Sequence, residues 1–273
     1  MKNMKIWKNT STLDGYDEGL PFTSIKEEAD IVLLGSKPIG LEGFSNLKGI
    51  FRVGISRDNV PIEEAEAMGI MVRFPSQETI EIIYEETSCF TCGLIFRMLY
   101  NEIGTLDPWE KNTRVQLNDK VLLVIGMGNI GGRVAKKMKG FLKVDTFDVL
   151  QNTTAELKAL IESADCITLH IPKNEENNNF IDGEKLSWMK DGSVLINTAR
   201  GAAVNEDALF KEIESFRLLA AFDVYWQEPY QGKLKKYHPD HFYMTPHVAS
   251  TCNGFLEGCR KDLDILIEDL FRA

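Results

Sequence analysis

No stretch of this chain approaches the roughly 18 consecutive apolar residues that a membrane-crossing helix needs. Its opening residues, MKNMKIWKNTSTLDG, lack the continuous apolar centre of a secretory signal. The expectation is a cytoplasmic protein without a membrane partner. Positive charge is scarce: the formal net charge of −10 leaves no clustered Lys and Arg for binding nucleic-acid phosphates. The nearest basic run, GKLKKYH at 232–238, is short and reads as a solvated loop. Cysteines are few, odd in number and scattered (Cys89, Cys92, Cys166, Cys252, Cys259), which excludes a disulfide framework and fits buried thiols in a reducing compartment. Cys89-x-x-Cys92 has redox spacing but lies in a helical run without the glycine-proline context. Histidine is rarer still, and His238, His241 and His247 have no converging acidic pair beside them, so no metal is expected. Internal repeats and low-complexity blocks are absent from the sequence.

What is present is alternation. Apolar runs followed by amphipathic segments recur along nearly all 273 residues, the pattern of an α/β protein with parallel sheets and a length suited to two domains. In the first third, MKIW, DIVLLG, LKGIFRVG and GIMVRF read as short strands, with a helix over NVPIEEAEAMG that Pro61 starts and Gly69 closes. A long helical stretch from Gln77 to Asn101 then leads away, a connection between domains. From Asn118 onward six strands are expected: KVLLVIG (120–126), KVDTFD (143–148), DCITLHIP (165–172), SVLINTA (193–199), LLAAFDV (218–224) and FYMTP (242–246). Helical segments separate the first five, one with Ile130, Val134 and Met138 at i, i+4 spacing and one, NEDALFKEIES, with an Asn cap. This is a doubly wound parallel sheet, in which ligands sit beyond the carboxyl ends of the strands. The last stretch is an amphipathic helix, with Phe255, Cys259, Leu263, Leu266, Ile267 and Leu270 on one face.

The first strand of that sheet runs into Gly126-x-Gly128-x-x-Gly131 and an amphipathic helix, the context in which GxGxxG carries weight. Gly126 permits the tight turn, Gly128 admits a pyrophosphate close to the backbone, and Gly131 lets helix and strand pack closely. With Asn129 and Ile130 they open a helix whose free N–H groups and dipole favour an anion. Asp148 ends the next strand, seventeen residues after Gly131, where a carboxylate can accept from the adenosine ribose. No Arg or Lys follows in DVLQNTT to hold a 2′-phosphate, so the cofactor is read as NAD rather than NADP. Pro172 and Thr198, at the ends of later strands, complete the cofactor edge.

Arg200 follows the fourth strand, Asp223 and Glu228 the fifth, and His247, in YMTPHVAS, the sixth. A guanidinium can fork onto the carboxylate and adjacent carbonyl of a 2-oxo acid. An imidazole can move the proton that accompanies hydride transfer, and a carboxylate beside it favours its charged form and fixes its orientation. Blander roles compete at each position: a helix cap or structural ion pair for Arg200, a turn for Glu228 before Pro229, hydrogen bonds to the following turn for Asp223, and an ordinary strand end for His170.

GMGNIG, LHIPKNEENNNFIDGEKLSWMKDGSVLINTARGAAVNEDAL, FDVYWQEP and TPHVAS are similar, in order and spacing, to successive motifs of the D-isomer-specific 2-hydroxyacid dehydrogenase family, which the sequence resembles across essentially its whole length. The resemblance implies an NAD-dependent oxidoreductase interconverting a small D-2-hydroxy acid and its 2-oxo acid. Arg200 would bind substrate, Glu228 partner the histidine, His247 act as acid/base and Asp223 hold the nicotinamide carboxamide. FRVGISRDNVP resembles the family loop whose amides meet the substrate carboxylate, so Ile55, Ser56 and Arg57 join Arg200 as substrate-binding candidates, with Lys37 of GSKPIG beside them. Ser56 and Arg57 stand where the family pattern more often has glycine and an apolar residue; Arg57 and Lys37 would then either select a substrate with a second anionic group or simply reach solvent. The implied architecture is a Rossmann NAD-binding domain at 89–250 and a smaller, trimmed α/β substrate domain at 1–88, joined by the helix at 251–273. Relatives pair as homodimers through the region between Leu99 and Trp109, which is several residues shorter here. Phosphoglycerate oxidation and an NAD-sensing corepressor role are the rival readings.

Overall fold

A computed structural model describes residues 4–101 and 103–271, so the last two residues of the expected C-terminal helix lie outside the described range. The chain divides into two units, one of residues 1–83 with 250–273, the other of 84–249. The division falls inside a long helix, five residues before the expected boundary at 88/89.

The first unit holds a four-stranded parallel sheet in the order β1-β2-β3-β4, formed by Ile6–Lys8 (β1), Ile31–Leu34 (β2), Gly49–Arg52 (β3) and Met71–Arg73 (β4). All four side chains of β2 are buried, as expected of a central strand covered on both faces. Alternation sorts them: Ile31 and Leu33 pack with Phe51, Phe255, Leu263 and Leu266, whereas Val32 and Leu34 pack with Leu41, Phe44 and Ile50. The C-terminal helix, Asn253–Phe271, therefore covers one face, and the six-residue helix Ile62–Ala67 (α1) belongs to the other. Between β1 and β2 the sole helical element among the described residues is a 3-10 turn at Lys26–Glu28, among loops that bridge back to β1 at Phe22. Asp262 of the C-terminal helix is buried and accepts from the Ser76 amide and the Thr79 hydroxyl, both at 2.8 Å. A carboxylate thus caps the positive start of the long helix Gln77–Leu99 (α2).

In the second unit the remainder of α2 is followed by an antiparallel hairpin, Gly104–Thr105 (β5) with Glu110–Lys111 (β6), which the sequence reading left as a plain link. Six parallel strands follow: Val121–Ile125 (β7), Lys143–Phe147 (β8), Cys166–Leu169 (β9), Val194–Asn197 (β10), Leu219–Phe222 (β11) and Phe242–Met244 (β12). Their order is β12-β11-β10-β9-β7-β8, with β7 paired to β8 on one side and β9 on the other. The order reverses there, so the carboxyl end of β7 marks the switch point where open α/β sheets place ligands. The helices are Asn129–Met138 (α3), Thr154–Ser163 (α4), Gly183–Trp188 (α5) and Glu206–Glu214 (α6). Period-two alternation again builds the core. Leu123 and Ile125 join Leu157, Leu186 and Leu209 on one face; Leu122 and Val124 join Ile95, Val134 and Met138 on the other. Fully burying each such aliphatic side chain contributes roughly 1.5–3 kcal/mol. The starts of α4, α5 and α6 are capped by side chains: Thr153 and Glu156 form a capping box, Asp182 accepts from the Lys185 amide, and Asn205 accepts from the Ala208 amide.

Candidate active site

The loop after β7 is shaped by its glycines. Gly126 has φ +92°, and a side chain there would also run into the His170 carbonyl. A Cβ on Gly131 would fall on the Gly126 carbonyl oxygen. A Cβ on Gly128, at the N-cap of α3, would instead project into open space, the side from which an anion can approach the first-turn amides. Asn129 is exposed beside it and Ile130 is half-buried. Asp148, just beyond β8, reaches back to this loop: Oδ2 accepts from the Met127 amide at 2.9 Å and Oδ1 from the Leu150 amide at 3.0 Å. These are the features a dinucleotide requires, and the residues fit one.

Behind the loop, His170 is half-buried with its Nε2 3.1 Å from the Thr168 hydroxyl, and desolvation of the ring pushes its imidazole down to about 3. It follows the end of β9, the strand-end position that the sequence reading gave it. Pro172 is exposed and its carbonyl accepts from Asn177 Nδ2. Thr198 is buried, with its hydroxyl 2.9 Å from that of Thr91 on α2, so its side chain is engaged within the unit.

Beyond β10, β11 and β12 three turns come together. Arg200 is half-buried; its Nη1 donates to the Ala199 carbonyl, and its own carbonyl accepts from Asn197 Nδ2. Gly201, next along, leaves no room for a side chain against the Tyr225–Trp226 peptide, and Trp226 Nε1 donates to the Val204 carbonyl at 2.6 Å. The Arg200 turn and the loop after β11 are thereby packed backbone to backbone. On that loop Glu228 Oε1 accepts from the Tyr225 amide at 3.1 Å, while Oε2 lies 2.8 Å from His247 Nδ1. A carboxylate only accepts, so Nδ1 carries the proton of that bond and Nε2 is left as the site of exchange. Burial works against the Glu228 charge, but His247, the Tyr225 amide and the Arg200 guanidinium outweigh it and hold the carboxyl below its ordinary range.

His247 itself sits at φ +55°, a left-handed conformation costing an L-residue with a Cβ roughly 1–2 kcal/mol. Outliers of this kind gather at functional sites. Asp223 helps to enforce it. Its carboxylate is fully buried and accepts from the Thr245 hydroxyl (2.6 Å), the Val248 amide (2.9 Å) and the Ala249 amide (2.9 Å). The side chain expected to reach the nicotinamide carboxamide is thus engaged by the turn that carries the histidine, the alternative that the residues alone had left open. Burial raises its carboxyl above the ordinary range, against the pull of those three donors.

In the first unit, Lys37 follows β2 and Arg57 follows β3, and both are exposed. Asn59 ties the two loops together by donating to the Gly35 and Lys37 carbonyls, and buried Arg52 holds Asn59 through its Nε. Arg57 lies over the Phe74 ring, 4.8 Å from its centroid; Ile55 and Ser56 are half-buried.

Residues 104–249, just over half of the chain, match the D-isomer specific 2-hydroxyacid dehydrogenase family in its NAD binding domain. The chain belongs to this family. A hydroxypyruvate reductase of Thermotoga maritima is 31% identical over 246 residues, 85% of this chain and 79% of that protein. A glyoxylate reductase of Thermofilum pendens is 30% identical over 237 residues, 77% of this chain and 68% of that protein. Among solved structures, D-lactate dehydrogenase from Aquifex aeolicus, complexed with NAD and lactic acid, shares the fold with TM-score 0.79 at 23% identity, covering 98% of this chain and 95% of that one. This 2-hydroxyacid dehydrogenase accordingly uses NAD, and its second unit carries the family's NAD-binding domain. Sequence reasoning singled out Arg200, Glu228 and His247 but passed over Tyr225 and Thr245, which bond each other across 20 residues; a tyrosine two residues after Asp223 was the available signal.

Proposed function

We propose that this dehydrogenase reduces a small 2-oxo acid to the D-2-hydroxy acid, and runs the reverse, with His247 as acid/base and Glu228 as its partner. The observation that carries this is the 2.8 Å contact between His247 Nδ1 and Glu228 Oε2 beside Arg200 at the carboxyl edge of the sheet. The Arg200 guanidinium would fork onto the substrate carboxylate and carbonyl, orienting C2 and polarising its oxygen. Gly126, Gly128, Asn129, Ile130, Gly131 and Asp148 would hold NADH, which would supply the hydride. His247, as imidazolium, delivers a proton from Nε2 to the developing alkoxide oxygen; Glu228 keeps Nδ1 protonated and the ring in place. Ile55, Ser56, Arg57 and Lys37 are assigned to the substrate side, Arg57 and Lys37 selecting a second anionic group. The relatives named as hydroxypyruvate and glyoxylate reductases support a small acceptor.

The test is NADH oxidation, followed by absorbance, against glyoxylate, pyruvate, hydroxypyruvate, 2-oxoglutarate, oxaloacetate and phosphohydroxypyruvate. Turnover with one of them is expected. Preference for the last would move the reading to phosphoglycerate chemistry, and tight NADH binding with no turnover on any would move it to a sensor.

A further inference from the structure

Three separate turns must hold their register for Arg200, Glu228 and His247 to act together, and one residue, through its backbone and its hydroxyl, touches the supports of all three. The Tyr225 peptide is the surface against which Gly201, next to Arg200, packs without space for a Cβ. Its amide donates to Glu228 Oε1. Its hydroxyl lies 2.8 Å from the Phe222 carbonyl and 2.9 Å from the Thr245 carbonyl, and it accepts from the Thr245 amide at 3.1 Å. The Thr245 carbonyl is the acceptor for the His247 amide, 3.0 Å away. Tyr225 therefore bonds Glu228 directly through its amide and reaches His247 through Thr245 by its hydroxyl. Its ring is itself fixed by stacking on Tyr230, centroids 5.1 Å apart and planes 20° from parallel, and Tyr230 is anchored through its hydroxyl to Glu206. Burial pushes the Tyr225 phenol up from its ordinary range, so the hydroxyl keeps the proton it donates.

We propose that Tyr225 is a positioning residue of the reaction, its hydroxyl clamping the left-handed His247 turn to the end of β11 so that the imidazole meets Glu228. This rests on the acid/base reading of His247. The clamp is separable from folding. Without the hydroxyl, the Thr245 amide still has the Phe222 carbonyl at 3.1 Å and the Thr245 carbonyl still has the His247 amide, so no backbone group is orphaned. Loss of the hydroxyl frees the turn to move, and displacements of an ångström cost catalysis far more than binding.

The experiment is a double-mutant cycle of Tyr225→Phe and Glu228→Gln on the full chain, with kcat and KM for NADH and for the preferred 2-oxo acid. Tyr225→Phe is expected to lower kcat about tenfold with KM for NADH unchanged, and to cost under about threefold in the Glu228→Gln background, because the pair it serves is already broken. An unchanged kcat in Tyr225→Phe overturns the proposal. So does an equal loss in both backgrounds, which would mark a role in packing alone. Failure of the underlying reading looks different: wild-type protein without turnover, or Glu228→Gln alone without effect.

Discussion

The loop after β7 and the turn after β12 sit at the carboxyl edge of one sheet, yet the first is shaped by side chains that are missing and the second by side chains that are added. Gly126, Gly128 and Gly131 bring bare backbone to the place proposed for the cofactor's phosphates; each removes a Cβ that would strain the turn, block the approach or strike a carbonyl. His247 occupies an equally unusual backbone conformation without the freedom of glycine. It is held there by Asp223 and Thr245, with Tyr225 behind them. A site that only receives an anion can be made of backbone, whereas a site that moves a proton needs a side chain at the strained position and a network to impose the strain.

The comparison can be broken first at the glycine loop. Gly131→Val places a branched side chain on the Gly126 carbonyl and should weaken NADH binding on the order of a hundredfold while lowering stability by ~1–3 kcal/mol. Fluorescence titration with NADH and a thermal melt measure both. Retained affinity would show that the loop tolerates what its geometry forbids.

The turn is tested by Asp223→Ala, which strips three donors of their acceptor and should lower kcat about tenfold, with a stability loss of ~2–4 kcal/mol. The same variant sharpens the role of Asp223. A Kd for NADH within about threefold of wild type assigns it to the turn, whereas a much larger change returns it to the nicotinamide carboxamide.

The smallest effect concerns pH. Glu228 is held below its ordinary value of 4.5, so its contribution to stability is fully present above that value and is lost as pH falls through the lower folded-state value. Glu228→Gln should therefore flatten the fall of Tm in acid below about pH 4.5 relative to wild type. Parallel melting curves in the two proteins would contradict the coupling to His247.

Legibility divides along the same line as the comparison. The glycine loop could be read from GMGNIG because its geometry depends on neighbours in sequence, and the strands could be read because their apolar runs match fully buried, two-faced strands. Arg200, Glu228 and His247 were legible as residues of suitable chemistry after consecutive strands. What escaped was the wiring. Asp223 meets partners 22 to 26 residues away, Tyr225 meets Thr245 across 20, and Thr91 meets Thr198 across 107, contacts that exist only once the sheet is assembled. The hairpin β5–β6 escaped for another reason: two-residue strands within GTLDPWEK offer no period to detect.

The most direct measurement is the rate of NADH oxidation by His247→Ala with saturating 2-oxo acid, beside its Kd for NADH. A fall in kcat of about a hundred- to ten-thousandfold with NADH affinity unchanged is the expected result for a proton donor held apart from the cofactor loop. A kcat within about threefold of wild type would contradict the assignment and return His247 to the standing of a structural histidine.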